Sequence, residues 1–446
     1  MINIGLGRLS FGAIFGCFIF STANSQDKIT TAASNIRHVF IIVLENKNFE
    51  DTFGKSTQDP YLRETLVHEG SLLTQYYGTG HASLDNYISM ISGQAPTPDT
   101  VNDCVSDSTS KKWNYNDVKQ TGLTPEGQVI AGGGCIYAAH VKSLPDQLTE
   151  SGLRWKAYME DMGNDSARES ITCGHPPIGA NTDSTSAAEP PSVEVPLGDA
   201  YATRHNPFMY FHSIIDSPSC NSNVVNLRDL RSDLARKSET PNLVFISPNL
   251  CHDGHDGDGT GRAGKTCANG EPGGLASVDA FLRVWVSEIL RSPAYKVDGL
   301  LIITFDEGNY SISEGKNAST GQATVDVVFK GKTCCDQRPG PNLDGIRPGT
   351  AVQLNTSERL VRLIARGYGG DRIGALLLSP FVRADSVSSR PYNHYSLLRS
   401  LEDIFGLQEH LGYAADEPRI GYHVQTMVDD RSIFKSSTPA KPILAQ

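Results

Sequence analysis

The hydrophobic pattern of the chain alternates between short, continuous apolar runs and longer segments in which apolar and polar residues mix. The apolar runs are rich in β-branched residues and lie at residues 38–44, 242–247, 299–305 and 373–379. Such runs are typical of strands that are buried on both faces of a parallel sheet. Helix-like segments lie between them, at residues 85–91, 144–149, 227–235, 275–290 and 395–405. This alternation predicts an α/β fold with a mainly parallel central sheet and helices on both faces.

Three long stretches rich in glycine, proline and serine interrupt this pattern, at residues 94–140, 163–198 and 311–350. They contain most of the cysteines, so we expect surface loops held by disulfides rather than separate domains. A chain of 446 residues could form two or three domains. The distribution of strands favours one catalytic domain over residues 26–435, followed by a flexible tail at 436–446.

The first 25 residues have the layout of a secretory signal peptide. Arg8 precedes an apolar run, and the small-residue stretch that follows ends at Ala23-Asn24-Ser25. The apolar run is too short for a bilayer-spanning helix, which needs about 20 residues. A lipoprotein signal ending at Cys17 is the alternative, because Gly16 precedes that cysteine. We therefore expect a secreted or periplasmic protein without a transmembrane segment.

Charge and cysteine content narrow the class of protein. The chain is 39% hydrophobic and 20% charged, an ordinary globular composition that excludes a disordered chain. Its 39 basic and 50 acidic side chains give a net charge of −11, which argues against a nucleic-acid partner.

Removing residues 1–25 takes away Arg8 and Cys17, leaving 421 residues, a net charge of −12 and eight cysteines. An even number in an exported protein predicts disulfides, of undetermined connectivity, with the adjacent Cys334 and Cys335 bonded to different partners.

Polar side chains follow three of the apolar runs. Glu45-Asn46 follows the first, the segment 248–256 with Asp253 and His255 follows the second, and Asp306-Glu307 follows the third. Open parallel sheets bind ligands beyond the carboxyl ends of their strands, so these clusters are expected to converge. Carboxylate, amide and imidazole groups together form a ligand set for a divalent metal. Each cluster alone is more typical of a solvated strand end, and the metal hypothesis depends on the three together.

Ser83 lies just before a helix-like segment, where backbone N–H groups and the helix dipole favour an anion. A serine at this place, next to a metal, could attack phosphorus. The same position is also that of a helix N-cap, and this segment alone favours the N-cap.

His394 similarly precedes a helix and is interpreted as an ordinary histidine of a helix N-terminus. Residues 259–266 match the phosphate-loop pattern of nucleotide-binding proteins, but they do not connect a strand end to a helix, so we reject that interpretation.

Five motifs together resemble the phosphoesterase family of bacteria and fungi, which belongs to the alkaline-phosphatase-like superfamily. The similarity spans about residues 36–410. That family contains secreted acid phosphatases and phospholipases C, and the form of the motif around Ser83 is closer to the acid-phosphatase branch. The motifs are Val43-Leu-Glu-Asn-Lys-Asn-Phe-Glu50, His81-Ala-Ser-Leu-Asp-Asn-Tyr87 with Ser92-Gly93, Arg204-His-Asn-Pro-Phe208, Ser247-Pro-Asn249 with Asp253-Gly-His-Asp256, and Thr304-Phe-Asp-Glu-Gly308.

The resemblance implies roles for individual residues. One or two divalent metal ions are implied, and Ser83 would be the nucleophile, forming a phosphoserine intermediate. One of the imidazoles of His81, His205 and His255 would protonate the leaving alkoxide. The implied metal ligands are Glu45, Asn46, Ser83, Asp306 and Glu307, and the implied phosphate-binding residues are Asn86, His81, His205 and Asp253.

The resemblance therefore implies a secreted, metal-dependent phosphomonoesterase of acid-phosphatase type that acts on a small phosphorylated substrate. The alternatives within the same chemistry are a phospholipase C, which would bind a phospholipid head group, and a phosphoinositide phosphatase. A different class is a secreted binding protein that has lost activity, and the intact Glu45, Ser83 and Asp306 count against it. The oligomeric state stays open.

Overall fold

The computed structural model describes residues 31–54, 58–107, 112–343, 351–355, 359–415 and 424–437. The predicted signal peptide, including Cys17, and residues 438–446 of the predicted tail lie outside the described residues. Within the described part of the chain, no helix has both the length and the apolarity needed to cross a bilayer.

The strands and helices are numbered in chain order. The strands are β1 (His38–Leu44), β2 (Ser71–Leu73), β3 (Tyr76–Tyr77), β4 (Val105–Asp107), β5 (Lys112–Trp113), β6 (Gln120–Leu123), β7 (Val129–Ala131), β8 (Trp155–Met159), β9 (Val224–Asn226), β10 (Leu243–Ser247), β11 (Gly299–Phe305), β12 (Ser311–Lys316), β13 (Ala323–Phe329), β14 (Ala351–Asn355), β15 (Arg359–Ala365), β16 (Ala375–Leu378), β17 (Ser386–Ser388) and β18 (Tyr392–Asn393). The α-helices are α1 (Val67–Glu69), α2 (Ser83–Ser92), α3 (Leu144–Glu150), α4 (His212–Ile215), α5 (Cys220–Asn223), α6 (Leu230–Leu234), α7 (Gly274–Arg291), α8 (Pro293–Asp298) and α9 (His394–Phe405). Short 3₁₀ turns lie at Ala32–Asn35, Thr100–Asn102, Thr203–His205, Pro207–Tyr210, Leu227–Asp229 and Gly412–Ala414, and π-helical turns at Glu50–Gly54 and Tyr61–Leu66.

The core of the molecule is a sheet with the strand order β17-β2-β16-β11-β1-β10-β8-β9. Strands β11, β1, β10, β8 and β9 are parallel, and every residue of β1 and β11 is buried. This confirms the predicted α/β fold and its mainly parallel sheet. The fourth apolar run was also expected to be parallel, but β16 is antiparallel to both β11 and β2. A run that is apolar at every position indicates a strand buried on both faces. It does not indicate whether the strand is parallel or antiparallel to its neighbours.

Helices cover both faces of this sheet. Phe40 in β1 and Phe245 in β10 point to opposite faces, because Phe245 is in register with Ile41 rather than with Phe40. The ring of Phe40 packs against Tyr295 of α8, and that of Phe245 packs against Tyr87 of α2. Helix α7 contacts α8 on the first side, and α9 contacts α2 on the second. The helix that begins at Ser83 is therefore fixed directly against the central sheet.

A second, smaller sheet has the order β12-β13-β15-β14. Its strands β13 and β15 are parallel, and β12 and β14 add to them in antiparallel fashion. The prediction of a loop over residues 311–350 is therefore wrong for β12 and β13. Residues 311–316 are all exposed, so this strand lacks the buried apolar face that a hydrophobic pattern detects.

The eight cysteines of the described region form four disulfides, as expected for an exported chain. The pairs are Cys104–Cys135, Cys173–Cys220, Cys251–Cys267 and Cys334–Cys335. The last pair corrects our expectation that the two adjacent cysteines have different partners. Adjacent cysteines are usually placed with their side chains on opposite sides of the chain, but here Cys335 and Asp336 both take up the left-handed backbone region, with φ of 61° and 55°. This turn brings the two sulfur atoms to the same side.

One buried carboxyl group in the disulfide-held region 163–198 has no compensating positive charge at hydrogen-bond distance. Glu169 Oε1 accepts a hydrogen bond of 2.7 Å from the backbone N–H of Gly163, and only 4% of the residue is exposed. Burial, together with the carboxylate of Asp199, raises the pKa of Glu169 to about 8. The folded state therefore holds the protonated acid, which the amide of glutamine would imitate.

We expect Glu169→Gln to remove a pH-dependent loss of stability. Because the folded pKa is raised, the stabilising contribution of the protonated acid is present below the unfolded pKa and is lost as the pH rises through about 8. Relative to the variant, the wild type should lose on the order of 4 kcal/mol of unfolding free energy between pH 5 and pH 9, measured by urea denaturation. The exposed Glu194→Gln is the control. Parallel curves for wild type and Glu169→Gln would contradict the assignment.

Candidate active site

The carboxyl ends of β1 and β11 meet at Asp306. Leu44 is in register with Phe305, so the residues that follow these two strands are neighbours. Asn46 has a left-handed φ of 50°, and its backbone N–H donates to Asp306 Oδ1 at 2.9 Å. The backbone N–H of Glu307 donates to the same oxygen at 2.6 Å. Two backbone donors therefore fix one oxygen of Asp306 and leave the other directed into the site.

The end of β10 joins the same cluster through the segment that contains Asp253. The backbone N–H of Glu45 donates to the carbonyl oxygen of Asp253 at 2.8 Å. The N–H of His255 donates to Asp253 Oδ1 at 2.7 Å, and Lys47 Nζ donates to the carbonyl of Gly254 at 2.7 Å. The structure thus brings together the three polar clusters that the sequence placed at strand ends.

Ser83 is the first residue of α2 and faces this cluster. Its hydroxyl donates to Glu45 Oε2 at 2.9 Å, while the Tyr87 hydroxyl donates to Glu45 Oε1 at 2.7 Å. The N-cap residue is Ala82, which has no side-chain capping bond. The N-cap interpretation of Ser83 is therefore wrong, because its hydroxyl is used across the site and not along the helix.

Asn86 lies one turn further along α2 and organises the loop before the helix. Its Oδ1 accepts from the backbone N–H groups of Thr79 and Gly80 at 2.7 and 3.1 Å. Its Nδ2 donates to Ala82 O at 3.0 Å and to Glu307 Oε2 at 3.2 Å. The side chain thereby connects the start of α2 to the end of β11.

The three candidate imidazoles have different surroundings. His205 is buried beside Glu45 and Asp253, with Nε2 3.4 Å from Glu45 Oε2 and Nδ1 3.2 Å from Asp253 Oδ2. Its ring stacks on Tyr87 with centroids 5.4 Å apart. Burial, followed by the charge of Arg204, lowers the pKa of His205 well below its ordinary value. His205 is therefore a neutral imidazole, suited to binding a cation and unsuited to donating a proton.

His81 and His255 lie closer to solvent. His81 Nε2 donates to Asp371 Oδ2 at 3.0 Å, and its Nδ1 is 4.0 Å from Glu307 Oε2. The side chain of His255 is 39% exposed, and its Nδ1 is 2.8 Å from Asp256 Oδ1. Both rings therefore lie at hydrogen-bond distance from a carboxylate, and neither is as enclosed as the ring of His205.

The buried carboxylates repel one another. Burial, together with the charges of Asp306 and Asp253, raises the pKa of Glu45 well above its ordinary value. Burial raises the pKa of Asp306 to about 6, and burial and neighbouring acids raise the pKa values of Asp253 and Glu307 well above the ordinary range. Lys47 and Arg204 are the nearby cations, and burial lowers the pKa of Lys47. A pocket with this excess of carboxylates favours the binding of a cation.

The donor atoms fit a divalent metal. Glu45, His205 and Asp253 each offer a ligand atom, and these atoms lie within 4.8 Å of one another. Asp253 Oδ2, Asp306 Oδ2 and both ring nitrogens of His205 are buried without a hydrogen bond. Buried polar atoms without partners are costly, and a shared metal ion would satisfy them. A second group, Cys251, His252 and Glu271, fits less well, because Cys251 is bonded to Cys267 and offers no thiolate.

Several residues at the site were not predicted from the sequence. Tyr87 and Lys47 lie within the family motifs but had no implied role, and Asp371 lies outside those motifs. Tyr87 donates to Glu45, Lys47 donates to the carbonyl of Gly254, and Asp371 accepts from His81. His394 was interpreted as an ordinary residue of a helix N-terminus, but its Nε2 donates to the carbonyl oxygen of Asp306 at 2.6 Å and its Nδ1 accepts from Tyr76 at 3.0 Å. Burial lowers the pKa of His394 to about 4, so the ring is neutral and holds the end of β11 in place.

The family model and the curated relatives that match this chain are all phosphoesterases or acid phosphatases. The sequence model of the Phosphoesterase family matches residues 57–408. A probable acid phosphatase of Kluyveromyces lactis is 21% identical over 64% of this chain and 52% of its own length, and an acid phosphatase of Aspergillus fumigatus is 24% identical over 61% and 45%. A phosphate-repressible acid phosphatase of Penicillium chrysogenum is 27% identical over 60% and 47%. The chain thus spans about half the length of the curated relatives that it matches.

Among solved structures, a protein in the alkaline phosphatase superfamily from Vibrio parahaemolyticus aligns with a TM-score of 0.41 and 13% identity, over 84% of this chain and 67% of the other. Murine ectonucleotide pyrophosphatase/phosphodiesterase 5 aligns with a TM-score of 0.41 and 13% identity, over 84% and 97%.

We expect a divalent cation to stabilise the protein through the carboxylate cluster. Adding Zn²⁺, Mn²⁺ or Ca²⁺ to chelator-treated protein should raise Tm by several degrees, about the effect of a ligand at 100 times its Kd. Asp306→Asn should reduce this shift and, because it removes one repelling charge, should not lower the Tm of the metal-free protein. The exposed Asp229→Asn is the control. An equal metal-induced shift in wild type and Asp306→Asn, measured by differential scanning fluorimetry, would contradict the site.

Proposed function

The chain belongs to the phosphoesterase family, and from this premise we propose that it is an exported, metal-dependent phosphomonoesterase of the acid-phosphatase type. The observation that supports this most strongly is the Ser83 hydroxyl, held 2.9 Å from Glu45 at the start of a ten-residue helix. A phosphoryl group there would meet the positive end of the α2 dipole. The four disulfides support export.

The proposed metal ligands are Glu45, Asn46, Ser83, Asp306 and Glu307, and the group of Glu45, His205 and Asp253 would hold a second ion. When bound, a divalent cation would offset the charge of the phosphoryl oxygens and lower the pKa of the Ser83 hydroxyl. In the proposed pocket Asn86 keeps the loop before α2 in position, while His81 binds the phosphoryl oxygens.

The Ser83 hydroxyl proton passes to Glu45 Oε2, which accepts its hydrogen bond, and Glu45 returns this proton to Ser83 when the phosphoserine is hydrolysed. Ser83 Oγ forms a bond to phosphorus while the bond from phosphorus to the leaving oxygen breaks, which gives a phosphoserine and an alkoxide. Among the three imidazoles, the partly exposed His255 is the proposed donor of the proton to that alkoxide. It would then accept a proton from the water that hydrolyses the phosphoserine, so that the enzyme returns to its starting state. The neutral, buried His205 stays a binding residue throughout.

We expect Ser83→Ala to abolish hydrolysis of p-nitrophenyl phosphate, with a decrease in kcat of at least about 10³-fold, because no other hydroxyl replaces the nucleophile. Ser92→Ala, at the other end of α2, is the matched control and should keep its activity. A wild type that prefers p-nitrophenylphosphorylcholine would favour a phospholipase C instead. Absence of turnover of either substrate, at any pH or with any metal, would favour a non-catalytic binding protein.

We expect the effect of His255→Asn to depend on the leaving group. p-Nitrophenolate leaves without protonation, whereas an alkoxide needs a proton. The variant should lose about 10²–10⁴-fold in kcat with glycerol 2-phosphate and much less with p-nitrophenyl phosphate. His68→Asn, which alters an exposed histidine bonded to Asp385, is the control. Equal losses of kcat on the two substrates would exclude His255 as the proton donor. The same pair of substrates would then be used to test His81→Asn.

A further inference from the structure

An open cleft of about 500 Å³ lies on the surface beside the candidate active site. Ser83 itself is almost completely buried, with 4% of the residue exposed, whereas the cleft opens to solvent. The cleft is large enough for the remainder of a small substrate. Its lining residues are Asn48, Glu50, Asp51, Gln75, Tyr77, Lys330, Lys332, Asp371 and Arg372.

Two contacts and one short stretch of chain connect the cleft to the candidate active site. Asp371 lines the cleft and accepts the hydrogen bond from His81. Phe329, the last residue of β13, packs against the His81 ring at 5.2 Å, and Lys330 follows it directly. Asn48 lines the cleft only three residues after Glu45. A substrate whose phosphoryl group contacts His81 would therefore extend towards Lys330 and Lys332.

The charges of the cleft are unevenly compensated. Arg372 is bonded to Glu50, and Asp371 accepts from His81 and from the backbone N–H of Lys332. Lys330 and Lys332 are exposed, and within the part of the chain that the structure describes neither ammonium group has an ion-pair partner. Asp51 accepts a hydrogen bond from the side chain of Asn48. Lys330 and Lys332 are thus the cations of the cleft that, among the described residues, have no carboxylate at ion-pair distance.

We propose that this cleft is a specificity subsite for a substrate that carries a second anionic group, a phosphate or a carboxylate, on its leaving group. This inference rests on the proposed phosphomonoesterase function of the Ser83 pocket. Lys330 and Lys332 bind the second anion, and the carboxylate of Asp51 repels it and weakens its binding. The subsite contributes to binding and takes no part in the bond-breaking step, because both lysines lie outside the carboxylate cluster.

A pair of ligands that differ by one phosphate tests the subsite directly. Fructose 1,6-bisphosphate and fructose 6-phosphate are titrated by calorimetry into the full chain carrying Ser83→Ala, so that neither is hydrolysed. The bisphosphate should bind more tightly, and Lys330→Gln and Lys332→Gln should each weaken its binding about 2- to 5-fold while leaving that of the monophosphate unchanged. Asp51→Asn should act in the opposite direction and tighten the binding of the bisphosphate.

Lys316→Gln, an exposed lysine of β12 in the same small sheet, is the matched control. Turnover of p-nitrophenyl phosphate by the lysine variants with Ser83 intact should equal that of wild type, since this substrate has no second anion. Equal affinity for the two sugar phosphates, or a preference that survives in the Lys330→Gln/Lys332→Gln double variant, would overturn the proposal. A chain that prefers the bisphosphate but hydrolyses no phosphomonoester would keep the subsite and refute the proposed function.

Discussion

The hydrogen bonds between the ends of parallel strands are the constraint on which the site depends. The N–H of Asn46 donates to Asp306, and the N–H of Glu45 donates to the backbone carbonyl of Asp253. These bonds hold three acidic side chains in one buried pocket although their charges repel one another, and the central sheet supplies the rigidity that keeps them there. Much of the apolar core can therefore be regarded as the support that stabilises this unfavourable arrangement until a cation or a proton reduces the repulsion.

The same arrangement separates the roles of the histidines. Burial and Arg204 keep His205 neutral, whereas Asp371 and Asp256 lie at hydrogen-bond distance from His81 and His255. One residue type thus has three different surroundings within one site. The difference comes from which strand end or loop supplies the neighbouring acid, and not from the histidines themselves.

Most of the central sheet and several site residues could be predicted from the sequence, because each depends on a local pattern. The buried runs at 38–44 and 299–305 have the observed boundaries, and the acids that follow them are adjacent in space since parallel strands end at the same edge. The direction of β16, the exposed strand β12 and the Cys334–Cys335 bond could not be predicted, because each depends on tertiary context. Ser83 is the clearest case, since only its contact with Glu45 distinguishes a serine facing the site from an N-cap.

The division between the two sheets also separates the proposed catalytic residues from the proposed subsite for the remaining part of the substrate. The acidic cluster belongs to the ends of β1, β10 and β11, whose every residue is buried, so a substitution there that changes the size of the side chain disturbs the core. Lys330 and Lys332 follow β13 of the smaller sheet and are exposed, so they can change at little cost to stability. Because Phe329 packs against His81, the smaller sheet still positions those lysines relative to the phosphoryl pocket. Substitutions in the segment after β13 could therefore change the proposed leaving-group preference without disturbing the central sheet.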